Sequence, residues 1–407
     1  MSKDDRSTSH FVPRVGLLVE TAVGPGRDIL NGIARYVRES GPWALHLEAR
    51  PQIFVEGWEA RWMRDWKGQG IIARFDTHST LSAVKRLKVP AVDVLGDMKD
   101  SQFPVVHVDD IAISRMAAEH LLERGFRNFG FVAHAGERWS DNRLDAFANA
   151  VGEHGYECNV LQADNLHDIP EAWDKFIENS AEWLRSQPKP LGLFLCNDGV
   201  GPMITQACRQ AGIAVPEEVA IVGVDNDEPI CAICDPPLSS VDANHEEVGY
   251  QAAALLDRMM QGEPSPQERI LLKPRAIVVR QSSAVSAIED PIVSVAMSMI
   301  REHACNGLQA RDVADRSPVS RSVLQRRFRA VLGRSVHEEI VRVQLRKAEE
   351  LLRDTDLALK TVAEKAGFKH QEYMGAVFKT RLGMTPGQYR KRYQVNGSKP
   401  EEAATVD

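Results

Sequence analysis

No run of 18 apolar residues occurs in this 407-residue chain, so no stretch of it reads as a membrane-spanning helix. The opening residues contain acids and no apolar h-region, and no secretory signal is expected. Cysteine is sparse and scattered: the six thiols read as reduced groups of a cytosolic protein rather than as a disulfide framework. Cys231 and Cys234 form a CxxC, but no second ligand pair stands at a matching spacing for zinc. A redox role remains open for them, with chance spacing the plainer reading. Gly24-Pro25-Gly26-Arg27 follows the first strand, yet it lacks the Gly-Lys-Ser/Thr ending of a phosphate loop and reads as a loop at a ligand cleft. His134 and His245 read as ordinary loop histidines. No Ser/His/Asp or Cys/His set is recognisable, so neither an enzyme nor a cofactor is expected.

What the chain does have is an uneven charge. The net charge is −7, but residues 291–395 hold 20 Lys+Arg against 11 Asp+Glu, a balance of +9 that leaves −16 for the rest. One part suits a polyanion and the other does not, although a solvated basic face would show the same balance.

Apolar runs at 15–19, 70–73, 91–95, 129–132, 193–196 and 219–224 read as buried strands, and 276–280 as a late closing strand. Helical patterns lie between them at 27–38, 79–88, 110–124, 141–154, 170–186, 200–211 and 245–261. This alternation predicts an α/β, two-lobed sensor of parallel sheets covered by helices on both faces. Lobe I is expected over 13–108 and 242–268, and lobe II over 109–241 and 269–283. Residues 1–12 are expected to be disordered, 284–291 to be a linker and 395–407 a disordered tail. Residues 292–394 read as all-helical, with segments at 291–303, 309–315, 320–332, 336–353, 359–366, 370–382 and 386–392.

That last region repeats one unit. Residues 309–315 and 359–366 each carry Val-Ala on a packing face, then a tight turn, then a helix opening at Ser320 or His370. This is helix-turn-helix grammar. Leu324, Phe328 and Leu332 form one inward stripe, and Met374, Phe378 and Leu382 the other. Arg321, Ser322, Gln325 and Arg326 are left projecting from the first reading helix, and His370, Gln371 and Tyr373 from the second. Arg and Gln suit bidentate contacts to guanine and adenine in the major groove. The joining helix, 336–354, would span about 28 Å, against about 34 Å between successive groove faces.

Arg342, Leu345, Ala348, Leu351 and Leu352, then Val362, Ala363, Ala366, Gly367 and Phe368, then Phe378, Lys379, Gly383, Thr385, Pro386, Tyr389 and Arg390 resemble the AraC/XylS class of transcription activators over about 291–393. The resemblance implies base contacts from Ser322, Gln325 and Arg326, and from His370, Gln371, Tyr373 and Ala376. Ala376 departs from the polar or basic reader often found there. Arg311, Arg327, Lys379, Arg381 and Arg390 read either as phosphate contacts or as solvated charges; double-stranded DNA is the implied partner.

Earlier in the chain, Val108-Asp109-Asp110 with His120 and Gly125, Arg143 to Ala150, Asn197-Asp198, Val215 to Asn226, and Pro237 to Ala253 resemble the sugar-sensing core of LacI-type repressors. The resemblance implies a sugar effector held by Arg143, Asn197, Asp198 and Asp225. In open α/β sheets ligands sit at the carboxyl ends of strands, which adds Glu20, Asp76, Asp109 and Asn226, and Trp139 as a ring against an apolar sugar face. Each of these polar residues reads alternatively as a helix cap or turn residue. LacI-type proteins carry their DNA-binding part before the sensor; here about a dozen residues precede the first strand. The combination resembles regulators of pentose catabolism and implies D-xylose as effector, a homodimer, and RNA polymerase as partner of an activator. Whether it activates or represses stays open, as does a related sugar. A transport or chemotaxis binding protein and a sugar-modifying enzyme are the competing classes, opposed by the paired helix-turn-helix units and by the missing catalytic set.

Overall fold

The computed structural model describes residues 12–48, 57, 61–96, 98, 101–163, 170–264, 269–284 and 290–393. The expected disordered ends, apart from residue 12, and most of the expected linker lie outside the described residues. The chain forms two compact units, 1–287 and 288–407.

The first unit begins with β1 (Arg14–Leu18), α1 (Gly24–Ser40), β2 (Ala44–Glu48), β3 (Gly70–Ala73), α2 (His78–Leu87), β4 (Ala91–Val94) and β5 (Val105–Val108). It then runs through α3 (Asp110–Glu123), β6 (Asn128–His134), α4 (Arg138–Gly152), β7 (Cys158–Ala163), α5 (Pro170–Ser186), β8 (Leu191–Leu195), α6 (Gly201–Ala211), β9 (Val219–Val224), α7 (Glu228–Ile233) and β10 (Ser239–Asp242). It closes with α8 (His245–Met260), β11 (Ile270–Leu272) and β12 (Ala276–Val278). Two six-stranded sheets result, in the orders β11-β5-β4-β3-β1-β2 and β12-β10-β9-β8-β6-β7. Every pairing is parallel except that of β12 with β10. β3, β4, β8 and β9 are buried at every residue, as strands covered on both faces must be.

The chain crosses between lobes three times. The last crossing falls between Leu272 and Ala276, not at 268–269 as expected, because Ile270, Leu271 and Leu272 extend the outer edge of β5. Local chemistry sets the helix starts that face the cleft. Thr77 Oγ1 accepts from Thr80 N at the start of α2, and Asp109 does the same for Ala112 N at the start of α3. α8 lies against α1 at backbone contact: a Cβ on Gly32 would meet Glu246 O at 1.8 Å, and one on Gly249 would meet Ile29 O at 2.0 Å. That approach brings the first turn of α8 to the rim of lobe I.

The second unit is all helical: α9 (Pro291–His303), α10 (Ala310–Asp315), α11 (Arg321–Leu332), α12 (Val336–Asp354), α13 (Leu359–Lys365), α14 (Gln371–Leu382) and α15 (Pro386–Tyr393). The 19-residue α12 opens with a capping box, in which Ser335 and Glu338 satisfy each other's backbone N–H. Leu324 and Phe328 pack into one core, and Met374 and Phe378 into another. Leu332 and Leu382 continue those stripes as half-buried residues.

Candidate sugar cleft and DNA-reading helices

A cavity of about 230 Å³ opens where the strand ends of the two lobes converge. Lobe I lines it with Glu20 beyond β1, Arg74 beyond β3, Leu95 beyond β4, His107 of β5 and His245 at the start of α8. From lobe II come Trp139 and Arg143 of α4, Asn197 and Asp198 beyond β8, and Asp225 and Asp227 beyond β9.

Arg143 is 4% exposed. Its Nε donates to Asp110 Oδ1 at 2.8 Å and its Nη1 to the Cys196 carbonyl at 2.6 Å. The same Nη1 stands 4.0 Å from Asp225 Oδ1. The Trp139 ring lies 5.1 Å from the guanidinium carbon, within cation–π range. Burial opposes the charge on Arg143, but Asp110 and Asp225 outweigh it and raise the pKa. Asp225 is joined to His245, whose Nε2 is 3.0 Å from Asp225 Oδ1. Burial alone would raise the Asp225 pKa; the His245 bond and the His245 and Arg143 charges hold it below its ordinary value. Asp225 also sits at φ 102°, a costly backbone conformation for a residue with a Cβ.

Asp198 behaves oppositely. Burial, reinforced by the charge of Asp225, pushes its pKa up to about 8, although Ser240 Oγ, Asp227 N and Cys231 Sγ all donate to it. Two neighbouring carboxylates are thus driven apart, one ionised and one inclined to keep its proton. Among the described residues, Asn197 Oδ1 in lobe II and Nδ1 of His245 in lobe I are buried at the cleft without a hydrogen-bond partner.

Six of the nine residues expected at the ligand line this cavity: Glu20, Trp139, Arg143, Asn197, Asp198 and Asp225. The other three do not, and each is held elsewhere. Asp109 spends its carboxylate on capping α3. Asn226 accepts from Arg280 Nη2 at 2.8 Å and donates its N–H to Ser240. Asp76 is ion-paired to Arg74 at 2.7 Å, so it acts on the cavity only through that arginine. Arg74, His107, Asp227 and His245 were not expected there. Arg74 directly follows a legible strand and was open to the same strand-end rule. His245 follows β10, whose Ser-Ser-Val-Asp sequence gives no apolar run, and it is no ordinary loop histidine. Cys231 and Cys234 are both buried, with Cys231 turned toward Asp198.

On the second unit, Arg321, Ser322 and Arg326 of α11 are exposed and Gln325 is half-buried. His370, as the residue before α14, and Gln371, Tyr373, Ala376 and Lys379 on it are exposed too. Ser320 and His370 stand at the helix-capping positions without a side-chain capping bond, which leaves both polar groups free of the backbone. Arg311, Arg327 and Arg381 are exposed as well; Arg327 pairs with Asp290 at 3.2 Å and Arg311 with Asp312 at 3.5 Å. Arg390 is half-buried and donates to the Leu357 carbonyl, so it braces the fold rather than standing solvated.

A two-lobed sensor with a polar cleft and a paired helix-turn-helix unit on one chain define a ligand-responsive, DNA-binding transcription regulator. The comparisons place it further. Residues 118–283 match a periplasmic binding protein-like domain, 313–392 a helix-turn-helix domain, and 14–114 the XylR N-terminal domain. The chain is 33% identical over 385 residues to the xylose operon regulatory protein of Escherichia coli K12, covering 93% of this chain and 96% of that one. It is 31% identical over 388 residues to the protein of the same name from Haemophilus influenzae, covering 93% and 98%. A solved structure of the xylose-binding transcription activator XylR superposes with a TM-score of 0.81 at 31% identity, over 94% of this chain and 99% of that one. The chain belongs to the family of xylose operon regulatory proteins. Its relatives are transcription regulators, not enzymes, and so is this protein.

Proposed function

We propose that the cleft binds D-xylose and that the bound chain, as a cytoplasmic homodimer, activates pentose-catabolic genes by engaging operator DNA and RNA polymerase. The observation that carries the sugar reading is the pair of unpartnered buried atoms, Asn197 Oδ1 and Nδ1 of His245, on opposite lobes. A buried acceptor without a donor costs about 1–3 kcal/mol. With Nε2 donating to Asp225, Nδ1 accepts a hydrogen bond in the neutral ring and donates one in the charged ring, and a sugar hydroxyl can serve either. A polyhydroxylated ligand between the lobes supplies a hydroxyl donor to Asn197 Oδ1 and a hydroxyl partner to His245 Nδ1, while Glu20, Asp225 and Arg74 offer further partners and Trp139 an apolar face. The names of the relatives point to the same sugar. Because the ligand contacts both lobes, it favours the closed arrangement and shifts the population toward it.

In the same reading, Arg321, Ser322, Gln325 and Arg326 face bases in one major groove, and His370, Gln371 and Tyr373 in the next. Lys379 meets a phosphate.

Calorimetric titration of the full chain with D-xylose, with L-arabinose, D-ribose and D-glucose as controls, tests the proposal. Saturable heat selective for D-xylose is expected. Heat with another sugar and none with D-xylose would replace the effector, and silence with all four would remove the sugar assignment.

A further inference from the structure

The DNA-binding unit contains two apolar cores, and α12 runs through both. Ile340 packs with Val293 and Phe328 in the first, while its neighbour Val341 packs with Val362 and Phe378 in the second. One turn on, Gln344 is 6% exposed. Its Nε2 donates to the Ala304 carbonyl at 2.9 Å and to the Gly367 carbonyl at 2.9 Å. Ala304 follows α9, in the half that carries α11; Gly367 forms the turn between α13 and α14, in the other half. A primary amide has two N–H protons, and here each half of the unit receives one.

The two backbones meet closely at this point. Gly367 has φ 81°, and a Cβ on it would stand 2.6 Å from the Ala304 oxygen and 2.6 Å from Cys305 Cα. No other side chain of this unit is shown donating to main-chain carbonyls of both halves among the described residues. The rigid α12 fixes the distance between the halves, but rotation of each half about that helix is resisted by whatever ties them together beside it.

We propose that Gln344 is a positioning residue that sets the relative orientation of α11 and α14, and so determines which spacing of DNA half-sites the protein accepts. The proposal rests on the reading that α11 and α14 enter successive major grooves. Inserting one base pair moves the second groove by about 3.4 Å and turns it by roughly 35°. A locked pair of helices cannot follow that turn, whereas a pair free to swivel about α12 can.

The test uses the full chain and a duplex that the wild type selects from a randomised pool, then the same duplex with one base pair inserted or deleted between the half-sites. The wild type is expected to lose affinity on the order of tenfold or more per step, as for a lost base contact. Gln344→Leu and Gln344→Glu, neither of which can donate to the two carbonyls, are expected to lose about threefold or less. Gln344→Arg, which restores donors, is expected to keep the steep profile. A merely structural role would lower the melting temperature and weaken all the duplexes in parallel, leaving the spacing profile unchanged. That result for the Leu and Glu variants would overturn the proposal. Should Gln344→Leu not fold, the Glu and Arg variants carry the same comparison. A wild type indifferent to spacing would overturn the two-groove reading itself, a failure visible before any variant is made.

Discussion

Arg27 and Asp227 join the two lobes, with Nη2 of the arginine 3.0 Å from each oxygen of the carboxylate. The Gly24 N–H adds a bond to Oδ2 at 2.9 Å. Asp227 therefore sits at the N-terminus of α1, where the helix dipole also favours a negative charge. This latch spans the lobes at the lip of the cleft, beside the cavity.

Arg27 does not line the cavity, so Arg27→Gln tests the latch without removing a ligand contact. The pair is partly exposed on the arginine side and is worth about 1 kcal/mol. D-xylose affinity is expected to fall about fivefold through a smaller closed population. An unchanged calorimetric dissociation constant would show that the latch does not contribute to closure.

Arg143→Met should be far more costly. It leaves Asp110 buried beside a side chain that cannot pair with it, and removes a compensating charge from Asp225. Breaking a buried pair by removing one partner costs about 3–5 kcal/mol. Urea denaturation should show a loss of this size, and a smaller one when Asp110→Asn is already present. Equal losses in both backgrounds would mean that the Asp110 pairing is energetically idle.

Stability should depend on pH through the protonated carboxyls. Burial raises Asp198, with help from Asp225, and raises Asp93, with help from Asp76, each to about 8 from an ordinary 3.8. The folded state then binds a proton that the unfolded state has released. Stability is greatest below the unfolded value and declines as pH rises toward the folded one, by up to about 1.4 kcal/mol per pH unit for each group. Between about pH 5 and 8, Asp198→Asn should remove one proton's worth of that slope. Urea midpoints measured across this window check it; a slope identical to wild type would contradict the assignment.

Base and phosphate contacts separate by their salt and sequence dependence. Arg326→Ala should cost about 1–3 kcal/mol on the preferred duplex and relax preference at one base position. Lys379→Ala should weaken all duplexes alike and lower the slope of log affinity against log salt by about 0.9. Fluorescence anisotropy over a salt series distinguishes the two, and an exchange of these behaviours would exchange the roles.

Strands buried on both faces were legible because burial demands apolar runs: β1, β3, β6, β8 and β9 announce themselves so, and β4 does despite the buried Asp93 within it. β2 does not, since its first four residues are exposed, and β10 is half serine. β5 is interrupted by His107, and the interruption is itself a cleft residue. The same physics governed the site. Asn197, Asp198 and Asp225 follow legible strands and reach the cavity. Asp109 and Asn226 follow strands too, but local backbone and Arg280 claim their oxygens first. His245 arrives through a crossing between lobes, which no local pattern encodes. In the helical unit the period of four placed Leu324, Phe328, Met374 and Phe378 inward without ambiguity, because a reading helix must bury one face to expose the other.

The sensor ends on lobe II, although it begins on lobe I. β12 closes the second sheet, and Ser283 just beyond it is gripped from α3, with His120 Nε2 2.8 Å from its hydroxyl and Arg124 Nε donating to its carbonyl at 3.0 Å. The end of the described sensor is thus held by lobe II alone. Any closing of the cleft would therefore carry Ser283 with lobe II while β1 stayed with lobe I, so the sensor's first and last described strands answer to opposite lobes.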